Sequence, residues 1–338
     1  METILVLAHV EADGALAKPA LEALTAAKNL GGEVIVGLVG GQAQMAADQI
    51  AGCGAARIPA VTGEAFTQSR YGTDAAAAEA LCRAAGAPIV IAPSTTRWAR
   101  ALPGVAYRLG GRVDTHATHV TNLAVQGGAP AVTRWFYRQR MEAVLARTER
   151  PWVVLVDSGC FTAWSGAPGT AVVESVAVEA PPTRTNVIGV RAPKADEQTI
   201  RPDAELLFVA GAGWTKKQAD GATHTAEAAT LILGFLRAAK ASLGGSKSLV
   251  DSSGEGEAVL PFMTHLNQIG QTGATPRHPK GLSTCCHGEE PHVVGWRFVN
   301  QRRAINLDAN CGWARGKADV LYVADAFEVM RQVNGLLG

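Results

Sequence analysis

Ile4-Leu5-Val6-Leu7-Ala8, a continuous apolar run, is followed by a helix-spaced segment over residues 16–30 with Lys18-Pro19 in its opening turn. A second run, 33–39, ends in Gly40-Gly41, and the alternation continues outward. A helix near 43–52 and a short strand at 57–60 come next, then an Ala-rich helix at 73–85, the strand Pro88-Ile89-Val90-Ile91-Ala92-Pro93 and a helix at 97–109. Strands apolar at every position are buried on both faces, so the pattern predicts a parallel sheet covered by helices, an α/β fold. After Gly110 the texture changes, and from Thr118 to Val176 the chain has short alternating runs, among them Ala131-Val132-Thr133-Arg134-Trp135-Phe136-Tyr137, Met141-Glu142-Ala143-Val144-Leu145-Ala146 and Trp152-Val153-Val154-Leu155-Val156. These predict antiparallel strands added to the first sheet.

The polar, proline-containing stretch 179–202 reads as a linker, which divides the chain into an N-terminal domain, 1–190, and a C-terminal domain, 191–338. The second opens with Leu206-Leu207-Phe208-Val209-Ala210, which runs into Gly211-Ala212-Gly213 and a helix through Leu231, Leu233, Phe235 and Leu236. A strand, a glycine turn and a helix make a nucleotide-site shape, although Gly-x-Gly alone equally describes a tight turn. Small residues, amides, hydroxyls and histidines recur at successive predicted strand ends: Gly270-Gln271-Thr272-Gly273, then Cys285-Cys286-His287-Gly288-Glu289-Glu290-Pro291-His292, then Ala304-Ile305-Asn306-Leu307-Asp308. An open α/β sheet holds a nucleotide at such ends, which directs the search for function to the last third of the chain.

Composition narrows the class. A length of 338 residues accommodates two domains, each with its own core, and 47% hydrophobic against 18% charged residues is a globular balance. The net charge of +1 gives no bulk attraction to nucleic acid or an acidic membrane. No apolar run reaches the roughly 18 residues of a bilayer span, and Met1-Glu2-Thr3 leads into an apolar strand with no basic leader. Both features predict a cytoplasmic protein without membrane insertion. Cys53, Cys82, Cys160, Cys285, Cys286 and Cys311 are too scattered for a disulfide scaffold and read as reduced.

The ordered set of motifs resembles the large (alpha) subunit of the electron-transfer flavoproteins, as a diverged branch. The matching pieces run end to end: the opening with Leu16-Ala17-Lys18-Pro19-Ala20 and Glu33-Val34; Thr133-Arg134 with Tyr137, and the strand at 152–156; Gly245-Ser246-Lys247-Ser248-Leu249-Val250-Asp251, like the segment holding the family's Ser-Arg pair; Gln268-Ile269-Gly270-Gln271-Thr272-Gly273; Gly288 and His292; Ala304 to Asp308; and the two pairs Ala318-Asp319 and Ala324-Asp325. The resemblance implies an electron carrier rather than a stand-alone enzyme. Its second, doubly wound domain would hold FAD, and a small (beta) subunit would complete an obligate heterodimer by binding AMP or, in bifurcating versions, a second FAD. Electrons would come from a flavin dehydrogenase and pass to a quinone-reducing or iron–sulfur acceptor. The linker would serve as the hinge on which the flavin domain swings.

Carried over residue by residue, Thr272 and Ser246 would offer hydroxyls and Gln271 an amide to the pyrophosphate and ring edge. Gly270, Gly273 and Gly288 would let the backbone approach the cofactor. Asn306 with Asp319 or Asp325 would bind the adenosine part. His292 would stabilise negative charge on the reduced ring. Where the family has arginine beside its serine, this chain has Lys247, which lacks the planar fork. The family's Gly-Gly-Arg-Gly stands here as Gly211-Ala212-Gly213-Trp214, without the arginine, and the family's serine before the motif glycine is His287. These departures keep a second reading open, a subunit of the same fold that has lost FAD and serves partner assembly. A third is an enzyme with a nucleotide or metal at the same strand ends.

Other residues are weighed against plain roles. Cysteine, histidine and glutamate within 285–292 are metal-ligand types, but adjacent Cys285-Cys286 is poor chelate spacing, so a metal-free cofactor loop is favoured over both a metal site and a cysteine nucleophile. Arg97, Arg100, Arg108 and Arg112 read as a solvated helix face, and most tryptophans as core or interface. By the same resemblance, Arg134 with Tyr137 and Arg138 would face the small subunit. His116 and His119 would point apart in a strand, against a joint ligand site.

Overall fold

The computed structural model describes residues 2–123, 129–136, 141–189, 200–201, 204–251, 258–270, 274, 276–284 and 299–338. The chain separates into two compact units, Met1–Val190 and Arg191–Gly338.

In the first unit the opening alternation builds β1 (Ile4–His9), α1 (Lys18–Asn29), β2 (Val34–Val39), α2 (Ala43–Gln49), β3 (Pro59–Val61), α3 (Tyr71–Ala85), β4 (Ile89–Pro93) and α4 (Thr96–Arg108). Local chemistry sets the ends. Pro19 occupies the first turn of α1, where a missing N–H costs nothing. Gly86, at φ +60°, terminates α3 in the left-handed conformation. Thr95 accepts the Trp98 N–H and caps α4. The chain then adds β5 (Arg112–Leu123), β6 (Ala129–Phe136), β7 (Met141–Leu145), β8 (Trp152–Val156) and β9 (Glu174–Ser175). The sheet order is β7-β6-β5-β8-β4-β1-β2-β3-β9. Only the β5/β6 and β6/β7 pairings are antiparallel among those described.

Alternate residues of each strand feed separate cores. Ile4, Val6, Val36 and Leu38 pack with α1 and α2, while Leu5, Leu7, Ile35 and Val39 pack with α3 and α4. One expectation is corrected. Residues 152–156 are not part of the antiparallel addition: β8 lies between β4 and β5 and runs parallel to both. All five residues are buried, the signature of a strand covered on both faces. β5 starts at Arg112, pairs first with β8, and only past the irregularity around His116 (φ +59°) pairs antiparallel with β6.

The second unit holds β10 (Leu206–Ala210), α5 (Thr225–Ala239), β11 (Ser242–Gly245), α6 (Lys247–Asp251), β12 (His278–Thr284), β13 (Val299–Asn306), the short helix Gly312–Lys317, β14 (Val320–Val323) and the closing helix Ala326–Leu337. All its described strands are parallel, in the order β11-β10-β12-β13-β14. The chain starts in the middle, steps one way to β11, then reverses and builds outward from β12. That doubly wound order places a switch point between the carboxyl ends of β10 and β12. Phe208, Ala210, Leu243 and Ile305 face α5 and the closing helix, and Leu207, Val209, Val299 and Ala304 pack on the other side with Ile269 and Ala314. The fold class is α/β with a large mixed sheet and a separate parallel five-stranded sheet. No helix among the described residues is long and apolar enough to cross a membrane.

Candidate functional site at the strand ends of the second unit

Beyond β10 the chain enters Gly211 and a tight turn, Ala212–Thr215. The Gly211 N–H donates to Thr284 O at 2.9 Å, and Trp214 Nε1 donates to Thr284 Oγ1 at 2.8 Å, which ties the carboxyl ends of β10 and β12 together. The Trp214 ring is fully buried and lies 4.6 Å from Phe327 of the closing helix. Trp214, standing in the segment where the resembled family has its arginine, thus forms the floor of the switch point.

Beyond β11 the buried pair Gly244-Gly245 leaves room for the 260–270 segment, since a Cβ on Gly244 would come within 2.1 Å of Ile269 Cδ1. Ser246 donates its N–H to Ala210 O at 2.9 Å, and its Oγ accepts the Leu249 N–H at 3.2 Å, opening α6. The Ile269 N–H donates to Gly245 O at 3.1 Å, and Gly270, in the left-handed region at φ +77°, turns the chain back with its N–H on Ala274 O. Backbone pairing therefore brings Ser246 and Gly270 to the same end of β11. Lys247 points elsewhere: its ammonium is ion-paired with Asp251 one turn along α6.

At the ends of β13 and β14, Asn306 and Asp325 line one shallow cleft with Gln218, Ile305, Leu307, Ala324 and Phe327. Asn306 is buried, and its Oδ1 accepts the Asp308 N–H at 3.0 Å. Asp325 Oδ1 accepts the Phe327 and Glu328 N–H groups at 2.8 and 3.1 Å, capping the closing helix. Asp319 is not part of this group. It precedes β14, where its carboxylate takes the Arg302 N–H at 2.7 Å and Nη2 at 3.0 Å, and these bonds hold its carboxyl below the usual range. Because β14 is parallel to its neighbours, the residue before it and the residue after it stand at opposite edges of the sheet. Gln271, Thr272, Gly273, His287, Gly288 and His292, together with Cys285, Cys286, Tyr137 and Arg138, lie outside the described residues. Gln218 and Thr284 are additions that the motifs did not indicate.

The first unit has its own reversal of strand order, between β1 and β4, and it is filled by side chains. His9 stacks on buried Trp98 with ring centroids 3.7 Å apart. Its Nε2 stands 3.5 Å from Asp74, a fully buried carboxylate to which Arg97 donates through Nε and Nη2 at 2.9 and 2.8 Å. Arg97 also binds the Phe66 and Gln68 carbonyls, and Arg100 comes within 3.6 Å of Asp74. Burial pushes His9 down to about 4 against the pull of Asp74. Burial would raise Asp74, but bonds from His9 and Arg97 outweigh it and hold the carboxyl below its ordinary value. Arg97 is therefore not on a solvated face, because its side chain is only 16% exposed. Arg108 and Arg112 do pair at the surface, with Glu79 and Glu149. Arg134 lies over the Phe136 ring and 3.8 Å from Asp114, and His116 pairs with Asp157 at 3.0 Å. Among the described residues no group of side chains has the makings of a metal site, and Cys53, Cys82 and Cys311 are free thiols.

No curated protein matches this chain. Residues 4–181, more than half of the 338, match the electron transfer flavoprotein domain. That match covers the first unit almost entirely and stops short of the strand ends described above. The chain belongs to the electron transfer flavoprotein family.

Proposed function

We propose that this protein is the large, alpha-type subunit of an electron transfer flavoprotein and carries FAD at the carboxyl strand ends of its second unit. The observation that carries this reading is the gathering of Ser246, Gly270, Asn306 and Asp325, from well-separated stretches of sequence, at one edge of a doubly wound parallel sheet. The donor set suits the cofactor. A hydroxyl, a backbone freed of side chain by glycine, an amide and a carboxylate match a dinucleotide's diphosphate, ribose and base. Bound FAD supplies the redox chemistry. The chain's own residues bind and orient it: Asn306 and Asp325 at the adenosine, Ser246 and Gly270 nearer the diphosphate, with Gln271, Thr272, Gly273, His287, Gly288 and His292 assigned to the ring and its surroundings by resemblance. Asp319 is left out of this set because it stands at the far edge of the sheet.

The partner in this reading is a small, beta-type subunit that carries AMP or a second FAD. The electron donor is a flavin dehydrogenase, and the acceptor a quinone-reducing or iron–sulfur protein, in the cytoplasm. A second reading, a partner-assembly subunit without FAD, draws on Lys247, whose ammonium is held by Asp251 instead of facing a cofactor. Co-expression of the full chain with its small subunit, followed by acid release and chromatography of any chromophore, separates the two. Equimolar FAD on this chain is expected. A colourless, well-folded heterodimer would transfer the protein to the second reading, and turnover of a small substrate without an electron acceptor would make it an enzyme.

A further inference from the structure

Trp214 touches three of the elements that frame the carboxyl edge of the second sheet. It follows β10 on the turn Ala212–Thr215, bonds to the end of β12, and packs on the start of the closing helix. The bond to β12 fixes more than one atom. An indole N–H can only donate, so Thr284 Oγ1 accepts it, and the single hydroxyl proton of Thr284 goes to Val209 O at 3.2 Å. The indole thereby sets the rotation of a hydroxyl that joins β12 to β10. On the closing helix the ring meets Phe327, whose N–H is held by Asp325 Oδ1 at 2.8 Å, so the same side chain also backs the residue that the Asp325 cap grips. Trp214 is 0% exposed and reaches no ligand itself, which means that it acts only through the groups it holds.

We propose that Trp214 is a positioning residue of the cofactor site, holding the ends of β10 and β12 and the Asp325 cap in one arrangement through Thr284 and Phe327. The role rests on the FAD reading. Groups that bind a ligand are only as well placed as the packed shell behind them, and a displacement of about 1 Å costs more than the bond whose loss caused it. A link made of two partners also has a signature. Removing either one breaks the same connection, so the two losses do not add.

The full chain with its small subunit carries the test, read as the dissociation constant for added FAD and the midpoint potential of the bound flavin. Trp214→Phe, which keeps a ring against Phe327, and Thr284→Val, which keeps the shape of the threonine, are each expected to weaken FAD about five- to tenfold and to shift the potential. The double variant is expected to be no weaker than the worse single one. Thr284→Ser, which keeps the hydroxyl, is expected to stay within about twofold of the wild type. A merely structural tryptophan would lower the melting temperature and leave affinity and potential of the folded protein unchanged. That result, or losses that add in the double variant, would overturn the role of Trp214 while the FAD reading stands. A wild-type heterodimer that holds no FAD would remove the FAD reading and this role together.

Discussion

The two sheets reverse their strand order in the same way and finish the reversal differently. In the first unit the crevice at β1 and β4 is occupied by His9 on Trp98 and by Asp74 between Arg97 and Arg100. In the second, the corresponding edge carries Gly211, Gly245, Ser246, Gly270, Asn306 and Asp325, groups that cap turns and helices while leaving a cleft. A fold-level rule names where a ligand could sit, and the side chains decide whether it can. The first unit has converted its crevice into structure, and in the proposed reading the second keeps its own edge for the cofactor.

The largest expected effect comes from breaking the closed crevice. Asp74→Ala leaves Arg97 beside carbonyls without its carboxylate and should cost about 3–5 kcal/mol, read by chemical denaturation. A loss below about 1 kcal/mol would mean that the pair is replaceable by water, which the burial of Asp74 argues against. Acid should act through the same cluster. His9 is held near 4 in the folded chain against 6.5 when unfolded, so the unfolded state takes up the proton first. The His9 contribution is complete above about 6.5 and is lost as pH falls toward about 4, a span worth about 3 kcal/mol. Asp74, held below its ordinary value, loses its own contribution as pH falls further, so both slopes have one sign. Melting temperatures between pH 7 and 4.5 should fall less steeply in His9→Phe than in the wild type, and parallel curves would count against this account.

In the second unit the effects should be smaller and local. Trp214→Phe removes the donor to Thr284 and part of the packing on Phe327, at about 1–3 kcal/mol. It should also loosen the join between β10 and β12, visible as faster amide exchange at Gly211. Ser246→Ala removes the acceptor for the Leu249 N–H and should cost about 1 kcal/mol, without changing the far-ultraviolet spectrum.

What the sequence disclosed follows the range over which its information acts. The strands at 4–8, 33–39 and 88–93 were legible because continuous apolar runs report burial on both faces directly. Trp152-Val153-Val154-Leu155-Val156 carries the same signal, but its neighbours in the chain are short alternating runs, and sequence proximity assigned it to the wrong part of the sheet. Ala318-Asp319 and Ala324-Asp325 are the same dipeptide. Only the direction of β14 separates a carboxylate paired with Arg302 from one at the cleft. Arg97 looked solvated because its partner, Asp74, is on another helix. Gln218 gave no signal at all, since its bonds go to carbonyls of the preceding turn and its neighbours in the cleft come from two strand ends far along the chain.

The central claim is that the cofactor occupies the second edge and leaves the first alone. Hydrogen–deuterium exchange of the full chain with and without added FAD tests it directly. The account predicts slowed exchange around residues 211–218, 245–250, 306–308 and 324–328, with no change around 9–11 and 94–98. Protection confined to the first unit, or none anywhere at saturating FAD, would contradict it.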